Sequence, residues 1–179
     1  LLCGGGGAHP AMLETCDDVD NNCTAGVDEG CDDDDDGWCD AGMTVVGAPA
    51  VCPQGSGDCD DSEPTINGAA TELCDDIDNN CDDALDEGCD DDGDSYCDGD
   101  MVTVGLPAVC HQGGGDCDDT RDDVYPDALE VCDDADNNCA SGIDEGCDGD
   151  GDGWCDASAT VVGDPAVCSA GIGDCNDAN

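Results

Sequence analysis

Phenylalanine and lysine are absent from this chain of 179 residues, and arginine occurs once, at Arg121. Against 49 Asp and Glu residues, that leaves a formal net charge of −48. Ordinary nucleic-acid binding is excluded, because it needs cationic side chains to displace phosphate counterions. Attraction to anionic membranes is disfavoured for the same reason. The natural partners of such a chain are cations. Large apolar side chains are also scarce. Leu, Ile and Val total 24, about 13% of the chain, where less than roughly 20% at high charge usually means disorder. A hydrophobic core alone therefore does not order this sequence. No apolar run comes near the length a membrane-spanning helix needs, so none is expected. The sequence shows no initiator Met and no signal peptide, and if secreted it is expected to be a mature or excised form. It has no Ser/His/Asp set, phosphate loop or recurring histidine, so an enzyme is not expected. His9 and His111 are read as surface residues, because Pro53 and Ser169 occupy the places equivalent to His111.

Cysteine, by contrast, is abundant. Nineteen in 179 residues exceeds the roughly 8–10% that marks a disulfide scaffold. C-x-x-C pairs, the usual thiolate metal ligands, are missing, and thiolates would add negative charge to an anionic chain. Disulfides and an extracellular or cell-surface location are expected. Six cysteines recur at one fixed offset, with no position slipping. Cys16, Cys23, Cys31, Cys39, Cys52 and Cys59 return as Cys74, Cys81, Cys89, Cys97, Cys110 and Cys117. They return again as Cys132, Cys139, Cys147, Cys155, Cys168 and Cys175. Self-similarity at a fixed period signals a repeat array. After a lead-in at 1–15, the repeats are 16–73, 74–131 and an incomplete 132–179. Regular structure is expected only around the apolar stretch, with Thr44–Val46 and Ala50–Cys52 flanking Gly47–Pro49 as a small hairpin. Ala69–Leu73 and Ala128–Val131 have room for a turn of helix. The expected fold class is a small disulfide-rich repeat protein with little regular secondary structure, short β-hairpins and calcium loops, drawn out as an elongated rod.

The acidic residues are not scattered. In DGDGDGWCD, residues Asp148, Asp150, Asp152 and Gly153 match positions 1, 3, 5 and 6 of an EF-hand-type calcium loop. Trp154 falls at position 7, which offers a backbone carbonyl, and Asp156 at position 9. The first copy is Asp32, Asp34, Asp36, Gly37, Trp38 and Asp40. The second is Asp90, Asp92, Asp94, Ser95, Tyr96 and Asp98, with serine in the glycine position. Calcium takes six to eight hard oxygens, and alternate aspartates on a tightly wound backbone converge on one point. The bidentate Glu of position 12 is missing: Met43, Met101 and Ala159 stand there. The remaining ligands must come from elsewhere in the repeat.

A second candidate is the CDDVDNNC turn. One register uses Asp18, Asp20, Asn22 and Glu29, with copies Asp76, Asp78, Asn80, Glu87 and Asp134, Asp136, Asn138, Glu145. A competing register starts at Asp20 and uses Asn22 and Asp28. A third candidate is GDCDD: Asp58, Asp60 and Asp61, then Asp116, Asp118 and Asp119, with Asp174, Asn176 and Asp177 in the last copy. Counted from Asp61 and Asp119, Glu72 and Glu130 fall at position 12 and are placed to close such a loop. A single charge run is usually just a solvated surface; three in-register copies of an oxygen-ligand spacing favour metal. Calcium is favoured over magnesium by the many carboxylates.

The stretch GDCDDTRDDVYPDALEVCDDADNNCASGIDEGC resembles the MopE-type metal-binding motif repeats of bacterial surface and secreted proteins, whose pattern reads DCDD…YPGA-E-CDG-DNDCDG--DEG. The chain departs from it at DNNCTA, DNNCDD and DNNCAS, where a Gly and an Asp are lost, which weakens the register starting at Asp20. The DxDxDG loops also resemble thrombospondin type-3 repeats, in which calcium loops and disulfides replace a core. Both resemblances imply extracellular calcium binding, and neither implies catalysis.

Six cysteines allow fifteen connectivities. Nineteen is odd, so at least one thiol lacks an intrachain partner. Cys3 precedes Cys16 by nearly the interval that separates Cys59 from Cys74. Cys3 is thus expected to stand in for the last cysteine of a preceding repeat, which would leave Cys175 for a following repeat or a neighbouring molecule. Trp38, Tyr96 and Trp154 are equivalent and are expected to pack rather than bind sugar. The sequon Asn22-Cys23-Thr24 occurs once. Together these features suggest a calcium-binding segment or subunit of an extracellular filament, stalk or adhesin, partnered by calcium and by copies of itself. The alternative is a secreted metal-scavenging or storage protein.

Overall fold

The structure, a computed structural model, describes residues 8–10, 12–24, 26–140 and 142–175. Among the described residues, regular structure is confined to eight short strands and one 3-10 turn. The strands are β1 (Thr15–Cys16), β2 (Trp38–Asp40), β3 (Thr44–Val45), β4 (Gly55–Asp58), β5 (Tyr96–Asp98), β6 (Gly113–Asp116), β7 (Trp154–Asp156) and β8 (Gly171–Asp174). The 3-10 turn is Ala166–Cys168. The chain is a small disulfide-rich repeat protein, and its sheets are all two-stranded.

The strands do not form the expected hairpins. All four pairs are parallel: β1 with β3, β2 with β4, β5 with β6 and β7 with β8. Parallel pairing needs a long connection, and the 39–52 disulfide ties β2 to the end of the one leading into β4. Of the two strands anticipated around Gly47–Pro49, Thr44–Val45 forms but pairs back to Thr15–Cys16, while Ala50–Cys52 stays irregular. The helical turns anticipated at Ala69–Leu73 and Ala128–Val131 are absent. One detail recurs in each repeat. The register shifts after the strand cysteine, so that Asp40 faces Asp58, Asp98 faces Asp116 and Asp156 faces Asp174.

Sulfur fills the place of a hydrophobic core. Cys16–Cys31 and Cys39–Cys52 are fully buried together, with Met43, Val45 and Val51 against them. Cys74–Cys89 and Cys97–Cys110 repeat the cluster with Met101, and Cys132–Cys147 and Cys155–Cys168 repeat it with Val161 and Val167. A third type, Cys59–Cys81 and Cys117–Cys139, ties each GDCDD segment to the next NNC turn. The pattern is therefore first to third, fourth to fifth, and sixth to the second of the following repeat. Cys23 is also disulfide-bonded; Cys3, the cysteine assigned above to a preceding repeat, lies outside the described residues. Cys175 is free and exposed.

Contacts divide the chain into two compact units, Leu1–Glu72 with Ile77–Leu85 and Leu73–Asp76 with Asp86–Asn179. The first unit contains the Cys59–Cys81 disulfide and the second contains Cys117–Cys139, so the 77–85 turn belongs with the repeat that precedes it. Two of the three equivalent aromatics cover backbone, and the third covers a ring. Trp38 lies against Gly57 and Gly68, Trp154 lies on Gly171, and Tyr96 stacks on Tyr125 with ring centroids 5.3 Å apart. A Cβ at Gly171 would sit 2.7 Å from the Trp154 ring, so only glycine admits that approach.

Closing a loop of about 15 residues by a disulfide stabilises by about 3 kcal/mol in the chain-entropy model. The double variant Cys16→Ala/Cys31→Ala should lose about that much in urea denaturation. Non-reducing peptide mapping should recover Cys16–Cys31, Cys39–Cys52 and Cys59–Cys81; a Cys16–Cys23 pair would contradict the fold.

Candidate metal centre

Each DxDxDG loop is wound by its own carboxylates. Asp32 Oδ1 accepts the Asp36 N–H at 3.1 Å and Oδ2 the Gly37 N–H at 3.0 Å. Asp34 Oδ1 also accepts from Asp36, and Asp36 Oδ1 accepts the Trp38 N–H at 2.7 Å. This wrapping brings one oxygen each from Asp32, Asp34 and Asp36 within 4.8 Å of one another, and the same holds for Asp90, Asp92 and Asp94. Asp148 accepts the N–H groups of Gly151, Asp152 and Gly153, and Asp152 accepts that of Trp154. The sixth loop position has positive φ in all three: Gly37 at 92°, Ser95 at 81° and Gly153 at 87°. Ser95 adopts the glycine conformation despite its Cβ, a strain of about 1–3 kcal/mol.

The loops are completed by the GDCDD segment, so the first and third candidates form a single site. Strand β4 runs beside β2 and delivers Asp58 to the inside of the repeat. Asp58 is 0% exposed. Its Oδ1 accepts the Asp60 N–H at 2.8 Å, and its Oδ2 has no partner. Asp61 Oδ1 accepts the Asp33 N–H at 2.9 Å, which locks the segment onto the loop. Oxygens of Asp34, Asp58 and Asp61 lie within 4.8 Å of one another. The second repeat reproduces this arrangement. Asp116 is 1% exposed, its Oδ1 accepts the Asp118 N–H and its Oδ2 is unpartnered, while Asp119 accepts the Asp91 N–H at 3.1 Å. In the third repeat Asp174 ends β8 opposite Asp156; Asn176 and Asp177 lie outside the described residues.

The other expected members take backbone roles nearby. Asp40, Asp98 and Asp156 accept the N–H groups of Gly42, Asp100 and Ser158. The charge of Asp40 still acts on Asp61, and that of Asp98 on Asp119. Asp60 and Asp118 bond the hydroxyls of Ser62 and Thr120. Trp38, Tyr96 and Trp154 donate their N–H groups to the fifth-position aspartates.

The electrostatics follow from crowding. Burial pushes Asp58 up to about 6, helped by the charges of Asp34, Asp36 and Asp61 and opposed by the Asp60 N–H. Asp116 reaches about 6 through burial and then Asp94, Asp92 and Asp118, against the Asp118 N–H. Asp119 reaches about 6 through burial and then Asp91, Asp98 and Asp116, against the Asp91 N–H. Asp34, Asp61 and Asp94 are also raised, burial being the largest cause. Buried Oδ2 atoms of Asp34, Asp58, Asp92, Asp94 and Asp116 have no hydrogen-bond partner. An unpaired buried carboxylate oxygen is costly, and several aimed at one another are costlier. An all-oxygen donor set of this kind fits a hard divalent cation.

The CDDxDNNC turn is arranged differently. Asp18, Asp76 and Asp134 turn away to accept the N–H groups of Ala50, Ala108 and Ala166, each at 2.7 Å. The wrapped register starts at the next aspartate: Asp78 accepts the Asp82 and Asp83 N–H groups and Asn80 the Asp82 N–H. Asp20 and Asp136 likewise accept the Cys23 and Ala140 N–H groups. Asn22 accepts the Thr24 N–H and hydroxyl. The fifth position is then Thr24, Asp82 or Ala140, so only the second copy has a carboxylate there. Glu29 accepts the Thr24 hydroxyl, and Glu145 the Asn138 side-chain amide. Glu87 keeps its Oε2 buried. Glu72 and Glu130 do not close the GDCDD loop; they accept backbone N–H groups of Asn79 and Asn80, and of Asn138 and Asp144. Glu14, not singled out from sequence, does the same for Asn21 and Asn22. Asp28, Asp86 and Asp144 hold the start of each turn by accepting paired N–H groups such as those of Asp17 and Asp18. Their recurrence in the same register as the cysteines was the available signal for these caps.

Asp58, Asp116 and Asp119 titrate near 6 in the folded protein and near 4 once unfolded. Between those values the folded state binds more protons, so the cation-free protein is stabilised as pH falls from about 7 towards 4 and loses that stability as pH rises through about 6. Urea denaturation in chelator should give a higher midpoint at pH 5 than at pH 7.5. The reverse order would contradict the buried-carboxylate geometry.

The family model Cu-binding_MopE, described as "Putative metal-binding motif", matches residues 7–29, 58–87, 116–145 and 140–153. No curated protein and no solved structure matches the chain. The matched stretches hold the GDCDD segments and the NNC turns of both complete junctions, whereas the first two DxDxDG loops fall outside them. With more than half of its length matched, the chain belongs to the MopE-type metal-binding-motif family.

Proposed function

We propose that this protein is an extracellular calcium-binding structural repeat protein, a segment or subunit of a filament, stalk or adhesin. The observation that carries the reading is Asp58, with its equivalent Asp116: a fully buried carboxylate whose Oδ2 has no partner and faces other carboxylates. Calcium is preferred because the converging donors are oxygens and are numerous. Magnesium holds several waters and usually shares a phosphate. Copper, which the family name mentions, favours imidazole or sulfur. The sulfurs of the clusters are held in disulfides.

When bound, calcium supplies the positive charge that cancels carboxylate repulsion. The chain's own residues do the rest. The N–H groups of Asp36, Gly37 and Trp38 hold three carboxylates in place, the 39–52 disulfide holds β2 beside β4, and Asp61 ties the GDCDD segment down. Order in the repeat then depends on both fasteners. A scavenging or storage protein would bind ions without gaining order.

Calorimetric titration at pH 7.5 should count at least two calcium ions per chain, one for each described composite cluster, and copper(II) should not displace them. Asp58→Asn should weaken one site at least tenfold, roughly 1.4 kcal/mol, and leave the other unchanged. Chelator should accelerate proteolysis; ion binding with unchanged protease resistance would favour the storage reading. Absence of calcium binding would overturn the proposal.

A further inference from the structure

We infer that the two complete clusters are unequal: the one in the second repeat holds the divalent cation more tightly, and the residue at position 67 or 125 sets the difference. This rests on the cation-binding reading above. The two loops share the aspartate spacing, the N–H groups given to Oδ2 of the first aspartate and to Oδ1 of the next two, and the buried closing aspartate. They differ at several positions, among them Asp35/Gly93, Gly37/Ser95 and Trp38/Tyr96, but the one that changes a donor to the fifth-position carboxylate is a neighbouring position. Asn67 stands beside the first loop, and Tyr125 occupies the equivalent place of the next repeat, beside the second.

Asn67 donates its side-chain N–H to Asp36 Oδ2 at 2.8 Å, while Asp36 Oδ1 already accepts the Trp38 N–H. Both oxygens of the fifth-position carboxylate therefore have protein donors in the first repeat. In the second repeat the Tyr125 ring stacks on Tyr96, 5.3 Å between centroids and 7° from parallel. Asp94 Oδ1 accepts the Tyr96 N–H, and its Oδ2 is buried without a partner. The first cluster thus presents two buried, partnerless oxygens, Asp34 Oδ2 and Asp58 Oδ2. The second presents three, Asp92 Oδ2, Asp94 Oδ2 and Asp116 Oδ2. Asp116 is almost completely buried and lies against the charges of Asp94 and Asp92.

The amide of Asn67 places the positive end of its dipole where a cation would bring positive charge, and it partly satisfies the oxygen that a cation would otherwise satisfy. The first loop carries one further carboxylate, Asp35 in the place of Gly93, and it is exposed to solvent, where its charge is screened. Glu63 acts on Asp34 in the first repeat, and Asp122 acts on Asp94 in the second. Arg121 occupies Glu63's place, but its guanidinium is held at 2.9 Å by both Asp123 and Asp133.

The test is calcium calorimetry on the full chain. Asp116→Asn should abolish the tightest binding step, and Asp58→Asn should leave it. Asn67→Ala, which removes the donor, should tighten the first-repeat site about fivefold, the effect of one net hydrogen bond. Tyr125→Asn should weaken the second-repeat site by a similar factor, and Tyr125→Phe, which keeps the stack and adds no donor, should leave it unchanged. Non-reducing peptide mapping of each variant confirms that the disulfides are in place. Loss of the tightest step in Asp58→Asn, or unchanged affinity in Asn67→Ala, would overturn the inference while leaving cation binding intact. Absence of any calcium binding in the wild type would overturn the cation reading itself, and this inference with it.

Discussion

Carboxylate crowding is the constraint from which the rest of this structure follows. Two carboxylates about 5 Å apart repel by about 3 kcal/mol at an effective dielectric of about 20, and positions 32–36 are aspartate without a break. Left to itself such a chain stays extended. Here it is folded back so that Asp58 and Asp116 are buried against other aspartates. The buried disulfide pairs make that possible. They hold the strands that carry those aspartates, and they do so where Leu, Ile and Val are too few to act alone. Backbone N–H groups supply the next layer, each acidic loop being wound around carboxylates that accept between one and three of them. These donors leave the Oδ2 atoms of the closing aspartates unmatched, and an unmatched buried anion is a request for positive charge.

The repeat is therefore an arrangement of two fasteners at short range from each other. Cys59 and Cys117 lie directly beside Asp58 and Asp116 in sequence, and their disulfides run to Cys81 and Cys139 in the next turn. The covalent link and the ionic cluster hold the same few residues. This proximity explains why the repeat register tolerates no slip: one inserted residue between β4 and Cys59 would misplace either the staple or the closing carboxylate.

Much of this was legible in the chain itself. The DxDxDG loops are local, so their spacing alone places three oxygens together, and the cysteine count announces what replaces the core. The completion of the site was not legible. It depends on Trp38–Asp40 running parallel to Gly55–Asp58, and a GSGD segment carries no strand propensity; sulfur bridges and the Asp40–Asp58 register impose the pairing. The turn register was hidden for a related reason. Asp18 and Asp20 are chemically identical, and only the distant N–H of Ala50 decides that Asp18 turns outward. Ser95 marks the converse case, in which local preference is overruled and a serine takes up the glycine conformation because the loop around it is fixed by Asp90 and Asp92.

The most direct measurement of the central claim is a crystal structure of the calcium-loaded protein at a wavelength that identifies the ion. The account predicts calcium within about 2.3–2.6 Å of Asp58 Oδ2 and of an Asp34 oxygen, with the matching site at Asp116 and Asp92. Calcium bound elsewhere, with Asp58 and Asp116 buried and unliganded, would contradict it.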